Sequence, residues 1–86
     1  MTELRYRVLR LLDERENAGT AGPPTIGAVA EALGVPLREV LLVLETSEAA
    51  GMVAIRRYTA EAENDYAVVL RSSAFTYLES KGETDR

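Results

Sequence analysis

The stretch from Thr25 to Val53, TIGAVAEALGVPLREVLLVLETSEAAGMV, constrains the chain most, because two helical periods stand there with only a tight turn between them and a strand directly after. Thr25 is placed to cap the first of these helices, with Ile26, Val29, Ala30 and Leu33 on its inner face and Gly27 and Glu31 outside. Gly34 stops it, since a glycine just past the last periodic residue accepts the left-handed conformation that ends a helix. Pro36 suits the first turn of the next helix, where a missing N–H costs nothing. That helix is expected to run to about Ala50 and stop at Gly51. Leu37, Val40, Leu41 and Leu44 line its buried stripe, and Arg38, Glu39, Leu42, Glu45, Thr46 and Ala49 face outward. After Gly51 the period changes to two, so that Val53 and Ile55 point one way and Arg56 and Tyr58 the other.

Upstream, Thr2 can cap a helix whose buried stripe is Leu4, Val8, Leu11 and Leu12, with Tyr6, Arg7, Arg10, Asp13 and Glu14 on the opposite face. Glu3 with Arg7 and Arg10 with Glu14 are four residues apart, a spacing that stabilises a helix surface by roughly 0.2–0.5 kcal/mol per pair. Asn17 to Pro24 reads as a loop, because Gly19, Gly22 and two prolines cannot propagate a helix. Downstream, Tyr66 to Leu70 reads as a second strand with Tyr66, Val68 and Leu70 on one face. Glu61 to Asp65 is a polar connection, so the two strands form a hairpin tipped by Glu61, Glu63 and Asp65, across which Tyr58 and Tyr66 can face each other. Ser72 or Ser73 can cap a last short helix with Phe75 and Leu78 inward. Gly82 then releases a polar tail, residues 83–86, leaving 1–82 as one domain.

Composition narrows the chemistry. The chain has no Cys and no His, which removes disulfides, thiolate and imidazole catalysis and nearly every zinc or copper site, so no metal and no cofactor is expected. It also lacks a phosphate loop, a dinucleotide fingerprint and a nucleophile with a base partner, and the expectation is a protein that is not an enzyme. The acidic stretch at residues 61–65 lacks the length and the Gly and Glu positions of a calcium loop, and reads as a solvated turn. No apolar run spans a bilayer and the first twelve residues form no signal-peptide core, which points to the cytoplasm and away from membranes. With 86 residues and a modest core, a partner surface would add stability. The net charge of −4 repels a polyanion unless the basic groups, all arginine but Lys81, are segregated on one face.

Three helices, a two-stranded hairpin and a closing helix, in that order, resemble the winged helix-turn-helix domain of the transcription-regulator type. Ala30-Glu31-Ala32-Leu33-Gly34-Val35 looks like that family's second helix and turn. Val40, Leu44 and Glu48-Ala49-Ala50-Gly51-Met52-Val53 look like its third helix and the start of its wing. Leu70, Ala74 and Leu78 sit at the spacing of the closing motif Leu-Thr-x-x-Gly-x-x-x-Leu, with Arg71 in place of the Thr and Ala74 of the Gly. Ser47 occupies a position where the family usually buries a Leu. The fold expected is therefore α+β, mostly helical, with a three-helix core, a two-stranded β-hairpin wing and a short C-terminal helix.

The resemblance implies duplex DNA as partner, with the third helix in the major groove and the wing on the adjacent backbone. By position it makes Arg38, Glu39, Leu42 and Thr46 the candidate groove residues and Arg56, Arg57 and Arg71 the candidate wing contacts. Arg38, Thr46, Arg56 and Arg57 have the right chemistry for bases or phosphates, whereas Glu39, Glu45 and the acidic tip oppose it. One of the adjacent Arg56 and Arg57 can instead pair with a nearby Glu while the other lies over apolar surface. Pairing through the first and last helices makes a homodimer the expected state. Tyr6, Leu42, Ala49 and Tyr77 are the candidate protein-interface residues for the competing possibilities, a winged helix turned to protein contact, with its acidic wing and Leu42 face against a partner or a second copy, or an accessory subunit of a nucleic-acid enzyme.

Overall fold

The computed structural model describes residues 3–18, 23–57, 61–62 and 65–84, with the backbone alone for 82–84. The elements run α1 (Leu4–Asn17), α2 (Ile26–Leu33), α3 (Leu37–Ala49), β1 (Val53–Arg56), β2 (Ala67–Leu70) and α4 (Ser72–Thr84). The expected helical core, hairpin wing and closing helix are all present. Thr2, Gly19, Gly22, Tyr58, Glu63 and Asn64, each assigned a place from the sequence, lie outside the described residues.

Local signals placed the helix ends well. The Thr25 hydroxyl accepts from the Ala28 N–H at 3.1 Å and so caps α2. Gly34, at φ +66°, closes α2 with its own N–H on Glu31 O at 3.2 Å and the Val35 N–H on Ala30 O at 3.1 Å. The same pair of bonds ends α3, where the Gly51 N–H reaches Glu48 O at 3.0 Å and the Met52 N–H reaches Ser47 O at 2.9 Å. Pro36 stands one residue earlier than expected: it is the extended residue before α3, and its carbonyl accepts the Glu39 and Val40 N–H groups. Glu3, not Thr2, is the N-cap of α1, and its side chain makes no cap bond there.

The core gathers Val8, Leu9 and Leu12 of α1, Ile26, Val29 and Ala30 of α2, Val40 and Leu44 of α3, Val53 and Ile55 of β1, Val68 of β2 and Ala74 of α4. Each large aliphatic side chain here contributes about 1.5–3 kcal/mol relative to exposure. Leu9, absent from the expected stripe of α1, is fully buried beside Val8, while Leu4 and Leu11 are only half-buried. The reason is that α1 is covered by α2, α3, α4 and β2 together, so more than one stripe of it is inside. Leu37, expected inside, is 38% exposed at the first position of α3.

Two expectations for the C-terminal helix are corrected. Phe75 is 45% exposed, because the inward stripe of α4 is Ala74, Tyr77, Leu78 and Lys81, spaced i, i+3, i+4, i+7, and Phe75 stands beside it. The helix also continues through Gly82 to Thr84 instead of ending at the glycine.

The wing strands are antiparallel, in the register Val53↔Leu70 to Arg56↔Ala67. They are shorter than the alternation suggested, and residues 57–66 connect them. On the far edge of β2 the chain before α2 adds a further bridge, Thr25 with Ala67. The Ile26 N–H donates to Tyr66 O at 3.0 Å and the Val68 N–H to Pro24 O at 2.9 Å. This contact ties the wing root to the start of α2 and satisfies backbone groups that an isolated hairpin leaves open.

Candidate nucleic-acid interface

Burial of Val40, Leu44 and Ser47 turns the opposite side of α3 to solvent. Along the ridge farthest from the core stand Arg38, Leu42, Glu45 and Ala49, all exposed, at i, i+4, i+7 and i+11. Glu39 and Thr46 lie on the edge of α3 toward α1, and Glu48 on the edge toward β1. Arg38 and Thr46 are separated by about 12 Å along the helix axis at 1.5 Å per residue, close enough for one surface to use both.

Thr46 is already engaged. Its hydroxyl donates to Val43 O at 2.9 Å and accepts from Arg5 Nη2 at 2.8 Å, which leaves one lone pair for anything outside. Arg5 is thereby brought from α1 to the edge of α3, a cation that the sequence assignment omitted. The sign was there: Arg5 precedes the buried Val8 and Leu9 by three and four residues, so it belongs to the side of α1 that faces other helices. Arg7, also on α1, reaches the C-terminal carbonyl of α2 with Nη2 on Leu33 O at 3.4 Å.

The two wing arginines separate, as their alternation predicts. Arg57 lies against α3: its Nη2 donates to Glu48 Oε1 at 2.9 Å and its Nη1 to Glu48 Oε2 at 3.1 Å, and the Ile55 N–H donates to the same Oε2 at 3.0 Å. The guanidinium bonds, and then the backbone bond from Ile55, hold the Glu48 carboxyl below its ordinary range, while the same pairing raises Arg57. Arg56 is exposed at the end of β1, opposite Ala67 in register, and Arg71 is exposed just after β2, its N–H on Met52 O at 2.8 Å. Thus Arg38, Thr46 and Arg57 share α3 or its edges, while Arg56 and Arg71 belong to the hairpin. Of the acidic tip, Glu61 and Asp65 are exposed.

The protein-interface candidates do not make one surface. Leu42, 61% exposed, and Ala49 share the outward ridge of α3. Tyr6 is half-buried on α1 and its hydroxyl accepts from Arg10 Nη1 at 2.9 Å. Tyr77 is half-buried on α4 and its hydroxyl donates to Glu3 Oε2 at 2.9 Å, so it is occupied within the fold. Among the described residues no helix is long and apolar enough to cross a membrane, and no cluster of acidic, His or Cys side chains is placed to hold a metal ion.

No protein-family model matches the chain, and no curated protein does. Solved structures match over nearly its whole length. Staphylococcus aureus MepR in complex with DNA is 19% identical, with a TM-score of 0.70 over 99% of this chain and 58% of that one. A MarR family protein from Bacillus stearothermophilus is 18% identical, with a TM-score of 0.69 over 98% and 53%. A Ralstonia eutropha protein is 20% identical, with a TM-score of 0.73 over 94% and 96%. The chain spans a little more than half of the MepR and MarR-family chains and nearly all of the Ralstonia one. These likenesses show the fold, a winged helix-turn-helix domain.

Proposed function

We propose that the chain is a non-enzymatic, transcription-regulator-like module that binds duplex DNA as a homodimer, setting the outward ridge of α3 in the major groove and the wing root on the flanking backbone. The observation that carries this reading is the placement of cations along α3. Arg38 stands on its first turn, Arg5 is brought beside Thr46 on its third, and the charge of Glu48 is already balanced by Arg57. The helix is thereby less acidic than its own sequence, although Glu39 and Glu45 remain. Arg56 is the wing's phosphate contact in this reading, and the cytoplasm is the compartment it requires.

The test is titration of the protein into fluorescent duplex DNA of mixed sequence, first at low and then at physiological salt. Nonspecific binding of roughly 10⁻⁴–10⁻⁶ M that weakens steeply with salt, and weakens further in Arg38→Ala, is the expected result. No binding at low salt rejects the proposal. Analytical ultracentrifugation checks the homodimer, which a single monomeric boundary would exclude.

A second reading has an observation of its own: Leu42, large and apolar, occupies the centre of the ridge that would meet DNA. A winged helix turned to protein contact, with a second copy or as an accessory subunit of a nucleic-acid enzyme, would use Leu42 and Ala49 there.

A further inference from the structure

From the Glu48–Arg57 geometry we infer a charge gate on the DNA face: Glu48 stands in for a phosphate and holds Arg57 out of the binding surface until a backbone phosphate replaces it. This inference rests on the DNA-binding reading above. The fork of a guanidinium fits a carboxylate and a phosphate in the same bidentate way, so the two anions compete for one group. Both outer nitrogens of Arg57 are taken by Glu48, at 2.9 and 3.1 Å. The pair stands where α3 meets the end of β1, on the edge of the helix that the DNA-binding reading sets in the groove. It is also accessible, with Arg57 53% and Glu48 31% exposed, so an incoming phosphate can reach the guanidinium. While the pair is closed it carries no net charge and releases no counterions from DNA.

The carboxylate has a second duty that makes the gate separable from the fold. Glu48 Oε2 also accepts the Ile55 N–H at 3.0 Å, and an amide oxygen can keep that bond. Glu48→Gln therefore removes the charge that retains Arg57 and leaves the anchor of β1 in place.

The experiment is a double-mutant cycle read by salt-dependent DNA titration of wild type, Glu48→Gln, Arg57→Ala and the double variant, with circular dichroism melts to establish that each is folded. Glu39→Gln, on the opposite edge of α3, controls for the mere loss of one negative charge. The gate predicts that Glu48→Gln binds several-fold more tightly at physiological salt, because a phosphate no longer has to displace a carboxylate from Arg57. It predicts that Arg57→Ala costs distinctly more affinity in the Glu48→Gln background than in wild type, where displacement of the carboxylate offsets part of the phosphate contact. Equal effects of Arg57→Ala in both backgrounds, or a gain in Glu39→Gln equal to that in Glu48→Gln, would overturn the gate while leaving DNA binding intact. Absence of DNA binding in every variant would overturn the functional reading, and the gate with it.

Discussion

The Tyr77 hydroxyl donates to Glu3 Oε2 at 2.9 Å, joining the final helix to the N-cap residue of α1 across 74 positions of chain. Lys81 Nζ reaches the same oxygen at 3.4 Å and lies 5.9 Å from the Tyr77 ring centroid. Glu3 makes no side-chain cap bond to α1, so its carboxylate is engaged by the final helix, while its carbonyl accepts the Arg7 N–H of the first turn at 3.2 Å.

Acid should weaken that contact. The Tyr77 bond, with Lys81 and Arg5 adding attraction, holds the Glu3 carboxyl below its ordinary value of 4.5, and Arg57 does the same for Glu48. A carboxyl depressed in the folded state binds protons more readily when unfolded. Its stabilisation is therefore complete above the unfolded value and disappears as pH falls through the folded one. Both groups are solvent-accessible, so each contributes no more than about 1 kcal/mol. Thermal melts taken from neutral pH down through the carboxylate range should show a shallower acid decline in Tyr77→Phe than in wild type. Parallel declines would mean that the hydroxyl does not hold the proton equilibrium of Glu3.

Ser47 is expected to be a liability in the core. It is fully buried, and its Oγ has no hydrogen-bond partner among the described residues. A buried hydroxyl left unsatisfied costs about 1–3 kcal/mol, and alanine is also the better helix former. Ser47→Ala should raise the melting temperature by several degrees, at about 4–8 °C per kcal/mol for a domain of this size. An unchanged or lowered midpoint would show that the hydroxyl is satisfied in solution.

Gly34 isolates backbone strain from crowding. Its φ is +66°, and a Cβ built there meets nothing within 4 Å. Gly34→Ala should accordingly cost about 1–2 kcal/mol from conformation alone, and Gly34→Asn distinctly less, since asparagine visits the left-handed region more readily. Equal losses in the two variants, measured by urea denaturation, would point to a steric cause instead.

Features governed by neighbours along the chain were legible in the sequence. The Thr25 cap, the Gly34 and Gly51 stops and the outward set on α3 each depend on a few consecutive residues, and each stands where it was expected. Features governed by packing were not. Leu9 is buried because four elements cover α1, and Phe75 is turned aside because α4 docks on Ala74, Tyr77 and Leu78. The bridge from Thr25 to Ala67 is too short to leave a period. In the site, Arg38 and the placement of Leu42 could be read from helical spacing. The Arg5–Thr46 and Glu48–Arg57 pairs could not, since each closes across different elements, and only the possibility that one wing arginine meets a glutamate was visible beforehand.

Leu42 decides what α3 faces. It is 61% exposed, so Leu42→Asp removes little burial and should shift stability by no more than about 0.5 kcal/mol. If the ridge enters a DNA groove, the new carboxylate stands among phosphates. Two like charges at about 4 Å in water repel by about 1 kcal/mol, which is roughly a five-fold loss of affinity. Titration of duplex DNA should show that loss while sedimentation leaves the homodimer unchanged, because the dimer in this reading forms through α1 and α4. The reverse pattern, intact DNA affinity with a dissociated complex, would place Leu42 at a protein interface and turn α3 away from nucleic acid.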